Sequence, residues 1–466
     1  MAEIFIRKFS EVSGGRFDPQ FYMQIFENNL SKIKQKKHEK IGNLVELSTQ
    51  GYVFEKDKEQ NIFQYIEISN IDIENGHIRD ISLIAEKDAP SRARLLVKQD
   101  DILVSATRPN RGAIAIVPKN LDGAVASTGF IVIRKVRDKI LKQYLAIILK
   151  TNISLLQFQQ RSTGGNYPAI TQDDFKKCLI PLPPLSTQQH IIDLMDKAYK
   201  AKKEKENKAK ELLDSIDSYL LEELGIILPL RANNTLDSRI YTQKISALSG
   251  SRFDANYHQP YYKKFEQALE SGKYKTLRLV DICQFRRGSF PQPYGNQEWY
   301  GGANAMPFVQ VADIDDNFEL KEKTNQQISQ LAQPKSVFVS QNTIILSIQG
   351  TIGRVAITQY DCYVDRTIAI FTELSNLLNQ HFLAYMLSIL FKNKADTARG
   401  ITLKTITKEE FRNFKIPLPP LTEQERIAKE ISQRKATAKA LKQEAKESLE
   451  SAKKEVEHII LGVFER

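Results

Sequence analysis

Short loops in which arginine, asparagine or glutamine stands beside glycine are the segments of this chain best suited to chemistry with a ligand. Thr107-Arg108-Pro109-Asn110-Arg111-Gly112 follows an expected strand, and Gln349-Gly350-Thr351-Ile352-Gly353-Arg354 follows its counterpart in the second half. An arginine fork can bridge guanine O6 and N7, and an Asn or Gln amide can bridge adenine N6 and N7. Glycine lets a backbone approach closely. An ordinary turn with solvated arginines fits the same residues equally well. A second pair of loops is Arg161-Ser162-Thr163-Gly164-Gly165-Asn166-Tyr167 and Arg399-Gly400-Ile401-Thr402-Leu403-Lys404. Its amides and hydroxyls suit phosphate contacts, which position without specifying; a structural turn is the rival. Arg286-Arg287-Gly288-Ser289 reads as a further basic loop, confined to the second half, either an insertion or a readout element.

Catalytic signatures are missing from the sequence. There is no GxxxxGK[ST] phosphate loop, no GxSxG and no HExxH. No NPPY- or DPPY-like tetrad is present to hold a base amino group. The double-proline phrases, Leu182-Pro183-Pro184-Leu185 and its twin, lack an adjacent Asn or Asp. Acid–x–Lys triplets such as Glu55-Lys56-Asp57-Lys58 arise by chance in a chain this charged. Cys178, Cys283 and Cys362 are far apart and form no CxxC, which suggests a reducing compartment and no structural zinc. The N-terminal MAEIFIRKFS lacks a signal-peptide apolar run, and no stretch reaches membrane-span length, so a cytoplasmic protein is expected. A net charge of +11 favours a polyanionic partner. The basic run at 32–40 reads first as a solvated surface, and the lone Trp299 as a packing or anchoring residue.

Two phrases recur at one offset. IPLPPLSTQQHI at 180–191 returns as IPLPPLTEQERI at 416–427, and SGGRFD at 13–18 as SGSRFD at 249–254, both 236 residues apart. A tandem duplication of a whole unit follows, with one fold used twice. Within each half, short β-branched and aromatic runs read as strands: 62–68, 101–105, 113–117 and 129–133, then 307–311, 343–348, 354–357 and 367–371. Helical patterns at 141–157 and 377–391 lie among them. Each half is therefore expected to hold an α/β or α+β globular domain, at 1–185 and 227–421. The offset drifts to about 241–243 inside them, so insertions fall in interior loops, where binding residues commonly sit.

A proline-rich stop closes each domain and a long helix follows, at 186–226 and 422–466. Ser186 with Gln189, and Thr422 with Glu425, have capping-box spacing. Gly225 and Gly462 read as terminators. Each helix would span roughly 55 Å at 1.5 Å per residue. Narrow apolar stripes, such as Leu441, Ala445, Leu449, Ala452, Val456, Ile459 and Val463, suit one partner helix, with packing of each stripe on its own domain as the rival. The charged middle of the first, 202–210, is its weakest stretch for pairing. An antiparallel coiled coil with a globular domain at each end, and a pseudo-dyad between, is the expectation. Such a dumbbell could offer equivalent faces to two major-groove segments of B-DNA.

These residues resemble the specificity subunit of type I restriction–modification systems. The doubled IPLPPL phrases, the RFD openings at Arg16 and Arg252, and Gly123-Ala124-Val125-Ala126-Ser127-Thr128-Gly129-Phe130 carry the resemblance, which covers about 13–462. It implies two target recognition domains, each reading half of a split, asymmetric site in double-stranded DNA; Thr128, inside the last phrase, is a further candidate contact. It implies helices that fix the gap and dock two methyltransferase subunits, joined by two motor-nuclease subunits. S-adenosylmethionine, ATP and Mg would then sit on those partners, with no cofactor, metal or membrane for this chain. A self-contained DNA methyltransferase or nuclease, and a coiled-coil scaffold without a DNA role, are the alternatives.

Overall fold

The computed structural model describes residues 12, 16–54, 61–231, 235, 240–249, 252–315, 317–400 and 404–462. The chain divides into two compact units: unit 1 comprises 1–206 with 443–466, and unit 2 comprises 207–442. Each unit therefore holds one globular domain and a part of each long helix, whereas the sequence suggested four consecutive segments.

Among the described residues unit 1 has ten strands. They are β1 (His38–Lys40), β2 (Val45–Ser48), β3 (Ile62–Ile66), β4 (Ser82–Ala85), β5 (Ala93–Leu96), β6 (Ile102–Ser105), β7 (Ile114–Ile116), β8 (Val125–Ser127), β9 (Phe130–Val136) and β10 (Leu179–Pro181). They form two four-stranded sheets, ordered β2-β9-β6-β7 and β4-β3-β8-β5, and a β1-β10 ribbon. Its helices are α1 (Gln24–Lys34), α2 (Lys142–Leu149), α3 (Asn152–Arg161) and α4 (Gln172–Lys177). The helix expected at 141–157 is broken at Lys150-Thr151, where Thr151 turns extended and begins α3.

Alternation along the central strands explains their unbroken apolar runs. Ile102 and Val104 of β6, with Ile131 and Ile133 of β9, face the helices. Leu103 and Val132 face the second sheet. A strand covered on both sides has no solvent face to encode, so it reads as continuous hydrophobicity. An outer aromatic group of Phe63 and Tyr65, with Tyr52 and Phe54, packs on the far sheet. The helix-side core extends to Ile191, Ile192 and Met195 of the first long helix (Leu185–Glu223) and to Leu449, Ala452, Val456 and Ile460 of the second (Leu421–Leu461). Lys205 of the first pairs with Glu444 of the second at 3.0 Å.

Unit 2 repeats the plan strand for strand. Its strands are β11 (Thr276–Arg278), β12 (Cys283–Arg287), β13 (Met306–Val309), β14 (Gln326–Ile328), β15 (Val337–Val339), β16 (Ile344–Ser347), β17 (Val355–Ile357), β18 (Cys362–Val364), β19 (Ile368–Leu374) and β20 (Lys415–Pro417). The sheets are ordered β12-β19-β16-β17 and β14-β13-β18-β15, with a β11-β20 ribbon. Even the parallel pairing recurs, β3 on β8 and β13 on β18. Besides two single-turn helices at Ile245–Leu248 and Leu279–Ile282, its helices are α5 (Pro260–Glu270), α6 (Gln380–Lys394) and α7 (Lys408–Arg412). Trp299 is 6% exposed in the outer group with Phe308 and Ile328, and its Nε1 donates to the Pro293 carbonyl at 3.0 Å.

In unit 2 the long helices run antiparallel. Glu223 pairs with Arg426, and eight residues away in opposite directions the Arg434 guanidinium donates to the Ser215 hydroxyl at 3.0 Å. Ile216, Leu220 and Leu224 share a core with Ile427, Ala428 and Ile431. Ala209, inside the charged stretch, and Ala438 are both buried. Gly225, at φ +64°, ends the first helix: the Ile226 amide reaches back to the Leu221 carbonyl at 2.8 Å, the Schellman pattern.

The helix starts differ from expectation. The helices begin at Leu185 and Leu421, so Ser186 and Thr422 lie inside the first turn and no capping box forms at Ser186/Gln189 or Thr422/Glu425. The amides of Thr187 and Gln188 reach the Pro184 carbonyl, and those of Glu423 and Gln424 reach Pro420. Gln189 instead donates along the surface to Asp193 at 2.8 Å. The anchors are the fully buried Gln188 and Gln424. Gln188 accepts from the Leu141 amide and donates to the Pro183 and Lys139 carbonyls. Gln424 accepts from the Asn379 amide and donates to the Leu377 and Pro419 carbonyls. One amide thus binds each helix to its globular domain.

Candidate nucleic-acid interface

At one end of the central sheet, three loop segments lie side by side in each unit. In unit 1 the Ala106 amide donates to the Gly129 carbonyl at 2.7 Å, and Ile170 donates to Ala106 at 2.9 Å. The Arg108 amide donates to the Pro168 carbonyl at 2.6 Å, and both Thr107 and Thr163 bridge to Ala169. The segments around Thr128, Thr107–Arg111 and Thr163–Tyr167 therefore form one strip. In unit 2 the Ile348 amide donates to Thr367 at 2.9 Å, Ile406 to Ile348 at 3.2 Å, and Gly350 to Lys404 at 3.0 Å. Gln349 and Arg399 both bridge to Thr405. A buried serine turns the chain off each sheet: the Ser105 hydroxyl donates to the Thr107 carbonyl, and that of Ser347 to Thr351, both at 2.6 Å.

The doubled RFD phrase holds this strip in place. Arg16 donates to the carbonyls of Arg161 and Ser162, both at 3.1 Å, where α3 ends. Arg252 donates to the Thr397 carbonyl at 2.8 Å, just before the second loop. Terminal helix carbonyls lack intrahelical donors, and a guanidinium satisfies several at once. Asp18 and Asp254 pair with these arginines and accept from the Phe21 and Tyr257 amides.

Side chains along the strip differ in what they can reach. Arg108 stacks 4.3 Å over Tyr167, which is 70% exposed, and donates twice to the Asn166 carbonyl. Asn110, Arg111, Thr128 and Asn166 are exposed. In unit 2, Thr351 and Arg399 are exposed, Gln349 and Lys404 are half-buried, and Arg399 lies 3.4 Å from Glu410. Thr402 lies outside the described residues.

Three expectations change. Arg161 turns inward beside Cys178 and Asp174, and its Nε is buried. Arg354 donates to the Ile314 carbonyl at 2.9 Å and braces the two sheets. Arg286 and Arg287 are not in a loop: they lie on β12, opposite Ile370 and Ala369, and Arg286 donates to the Phe338 carbonyl. The loop begins at Gly288, where a Cβ would sit 2.3 Å from the Val364 and Asp365 carbonyl oxygens. One exposed residue was overlooked. Arg366 occupies the place of Thr128, each following the residue that ends or follows its strand, 238 positions apart, and stacks 4.8 Å over Phe290. The matching of Phe130–Val136 with Ile368–Leu374, at the same offset, would have found it.

Among the described residues no three His, Cys, Asp or Glu side chains are grouped to hold a metal ion. Burial pushes the thiols of Cys178, Cys283 and Cys362 up to about 12, far from a reactive thiolate. Also among the described residues, no helix is long and apolar enough to cross a membrane.

The chain matches the family described as "Type I restriction modification DNA specificity domain" over residues 33–214 and 271–451. It is 23% identical over 342 residues to the type I restriction enzyme HindI specificity subunit of Haemophilus influenzae, covering 66% of this chain and 70% of that one. It is 23% identical over 411 residues to the putative type I restriction enzyme MjaX specificity subunit of Methanocaldococcus jannaschii, covering 84% of each. The fold is shared with a solved chain described under complex assembly and conformational transition of the type I R-M system, with a TM-score of 0.57, 24% identity, and 91% and 96% of the two chains covered. With the matched segments spanning most of its length and one fold built in both units, this chain belongs to the type I restriction–modification specificity subunits.

Proposed function

We propose that the chain reads a split, asymmetric site in double-stranded DNA, one half per unit, and has no catalytic chemistry of its own. Methyltransferase and motor-nuclease subunits dock on it and carry S-adenosylmethionine, ATP and Mg. The observation that carries this reading is the strip itself. Its backbone is built alike in both units, while Thr107, Arg108, Thr128 and Pro168 of one stand against Gln349, Gly350, Arg366 and Lys404 of the other. Equal scaffolds with unequal side chains suit two half-sites of different sequence. The net charge of +11 supports a polyanionic ligand.

Mapping of methylated bases in cells with and without this gene tests the reading. A bipartite motif that appears only with the gene is expected. Exchanging the globular part of one unit for that of a relative should change one half-site alone. Lengthening both long helices by a heptad should change the gap. A motif whose two halves change together after a single exchange would overturn independent readout. Methyl transfer or DNA cleavage by the purified chain alone would overturn the non-catalytic reading.

A further inference from the structure

Arg108 adopts the left-handed region, at φ +47° and ψ +50°. Apart from glycine, which has no Cβ, and occasionally Asn and Asp, residues rarely do so, because Cβ crowds the neighbouring carbonyl. The same station in unit 2 is Gly350, at φ +77°. The two are equivalent by their bonds: Arg108 donates to the Pro168 carbonyl, Gly350 to the Lys404 carbonyl. The turn therefore needs a left-handed residue, and glycine supplies it without strain. An arginine held there is explained by its side chain, not by its backbone.

That side chain is fixed in advance. Its Cζ lies 4.3 Å from the centroid of the exposed Tyr167 ring, over its face, and Nε and Nη2 donate to the Asn166 carbonyl at 3.2 and 2.8 Å. The two Nη1 hydrogens and the second Nη2 hydrogen make no bond among the described residues. They form the outer edge of a planar fork, the edge that spans guanine O6 and N7. A phosphate contact needs a positive charge but no fixed plane, and lysine would serve.

Unit 2 has no arginine at this station, yet it sets an exposed arginine over an aromatic ring elsewhere in the strip. Arg366 is exposed and stacks 4.8 Å over Phe290, which Gly288 and Ser289 bring to the β18–β19 turn. Ser289 donates to the Val364 carbonyl at 3.0 Å. Asp365, next to Arg366, is occupied by the Thr367 amide and hydroxyl at 2.9 and 2.6 Å. In unit 1 the corresponding place is Thr128.

We propose that Arg108 in unit 1 and Arg366 in unit 2 are the specificity-determining arginines, each reading a guanine through the outer edge of its guanidinium from a different station of the strip. This deepens the DNA-reading function proposed above and rests on it.

The test uses the full chain in cells with its methyltransferase partner, and the purified full chain against a library of randomised duplexes. Arg108→Gly is the informative variant, because it relieves the backbone and should melt no lower than the wild type. Arg108→Lys keeps the charge and loses the fork. Both should make one guanine of one half-site degenerate, with discrimination falling on the order of tenfold to a hundredfold. Arg366→Ala and Arg366→Lys should do the same in the other half-site alone. An unchanged motif in the Arg108 or Arg366 variants would overturn the inference. So would uniform weakening over all sequences with a shallower salt dependence, the mark of a lost phosphate contact. Loss of binding to every duplex would also overturn it. A wild-type chain that gives no split motif would sink the underlying function instead, and the two failures are thereby separated.

Discussion

Replacing Gln424 by leucine removes the amide that binds the second long helix to the globular part of unit 2. The side chain is fully buried and makes three hydrogen bonds, at 2.9 Å from the Asn379 amide and 2.8 Å to each of the Leu377 and Pro419 carbonyls. Leucine fills a similar volume but leaves the buried Pro419 carbonyl unpaired, together with the half-buried Asn379 amide and the more exposed Leu377 carbonyl, for which water can partly substitute. Each such group costs roughly 1–3 kcal/mol. Burying the leucine methyls returns about 1–2 kcal/mol. The expected net loss is about 3 kcal/mol. Trp299 is the single tryptophan of the chain, is 6% exposed and belongs to unit 2, so its fluorescence reports unfolding of that unit. With a urea slope of roughly 2–3 kcal/mol per molar, the Trp299 midpoint should fall by about 1 M. Glu425, next in sequence and exposed, serves as the control, and Glu425→Gln should leave the midpoint in place. If Gln424→Leu moved the midpoint by less than about 0.3 M, the buried amide would not be the anchor, and the capping reading of Thr422 and Glu425 would regain force.

Lys435 is held at about 8 by burial, with Lys439 adding to the effect and Glu319 and Asp315 opposing it. Because its folded value lies below the unfolded 10.5, the unfolded chain holds more protons between pH 8 and 10.5, so stability should rise across that window. Lys435→Met should flatten this rise, read as the Trp299 midpoint at pH 7 and pH 10; an unchanged slope would refute the assignment. Gly288→Ala should lower the same midpoint by an amount equivalent to roughly 1–3 kcal/mol, since its Cβ would meet two backbone oxygens at 2.3 Å that no side-chain rotation can clear. Arg426→Ala should cost no more than about 1 kcal/mol, and less at high salt, because the Arg426 side chain is 49% exposed in its pairs with Glu223 and Glu423. A larger, salt-insensitive loss measured by denaturation would show that its contact with Tyr219 matters more than the charges.

Periodic features of the fold could be read from the residues. The runs at 101–105 and 343–348 contain β6 and β16, and the 236-residue offset carries over to matching strand orders in both units. Short edge strands such as β4 and β14 were not seen, since three or four residues with mixed burial carry little pattern. The helix starts were misread for a physical reason. Ser186 and Thr422 have suitable types and spacing, but the prolines already place the chain in the helix two residues earlier than those caps would, and the anchoring amides belong to Gln188 and Gln424, whose partners lie 47 and 45 positions back. The candidate loops were legible as loops. Which of their arginines face outward was not, because Arg161 and Arg354 find their partners outside their own loops, at Asp174 and Cys178 and at Ile314.

Unit 1 is not closed by its own stretch of chain. Leu449, Ala452, Val456 and Ile460, from the final forty residues, fill the same core as Ile33, Ile148 and Ile191. During synthesis the first domain must wait, partly bare, while more than two hundred further residues leave the ribosome, and only the last helix completes it. Unit 2 is continuous and faces no such delay. The half made first is therefore the half finished last, and a ribosome stalled or a chain clipped near residue 443 should yield one sound domain and one prey to proteases.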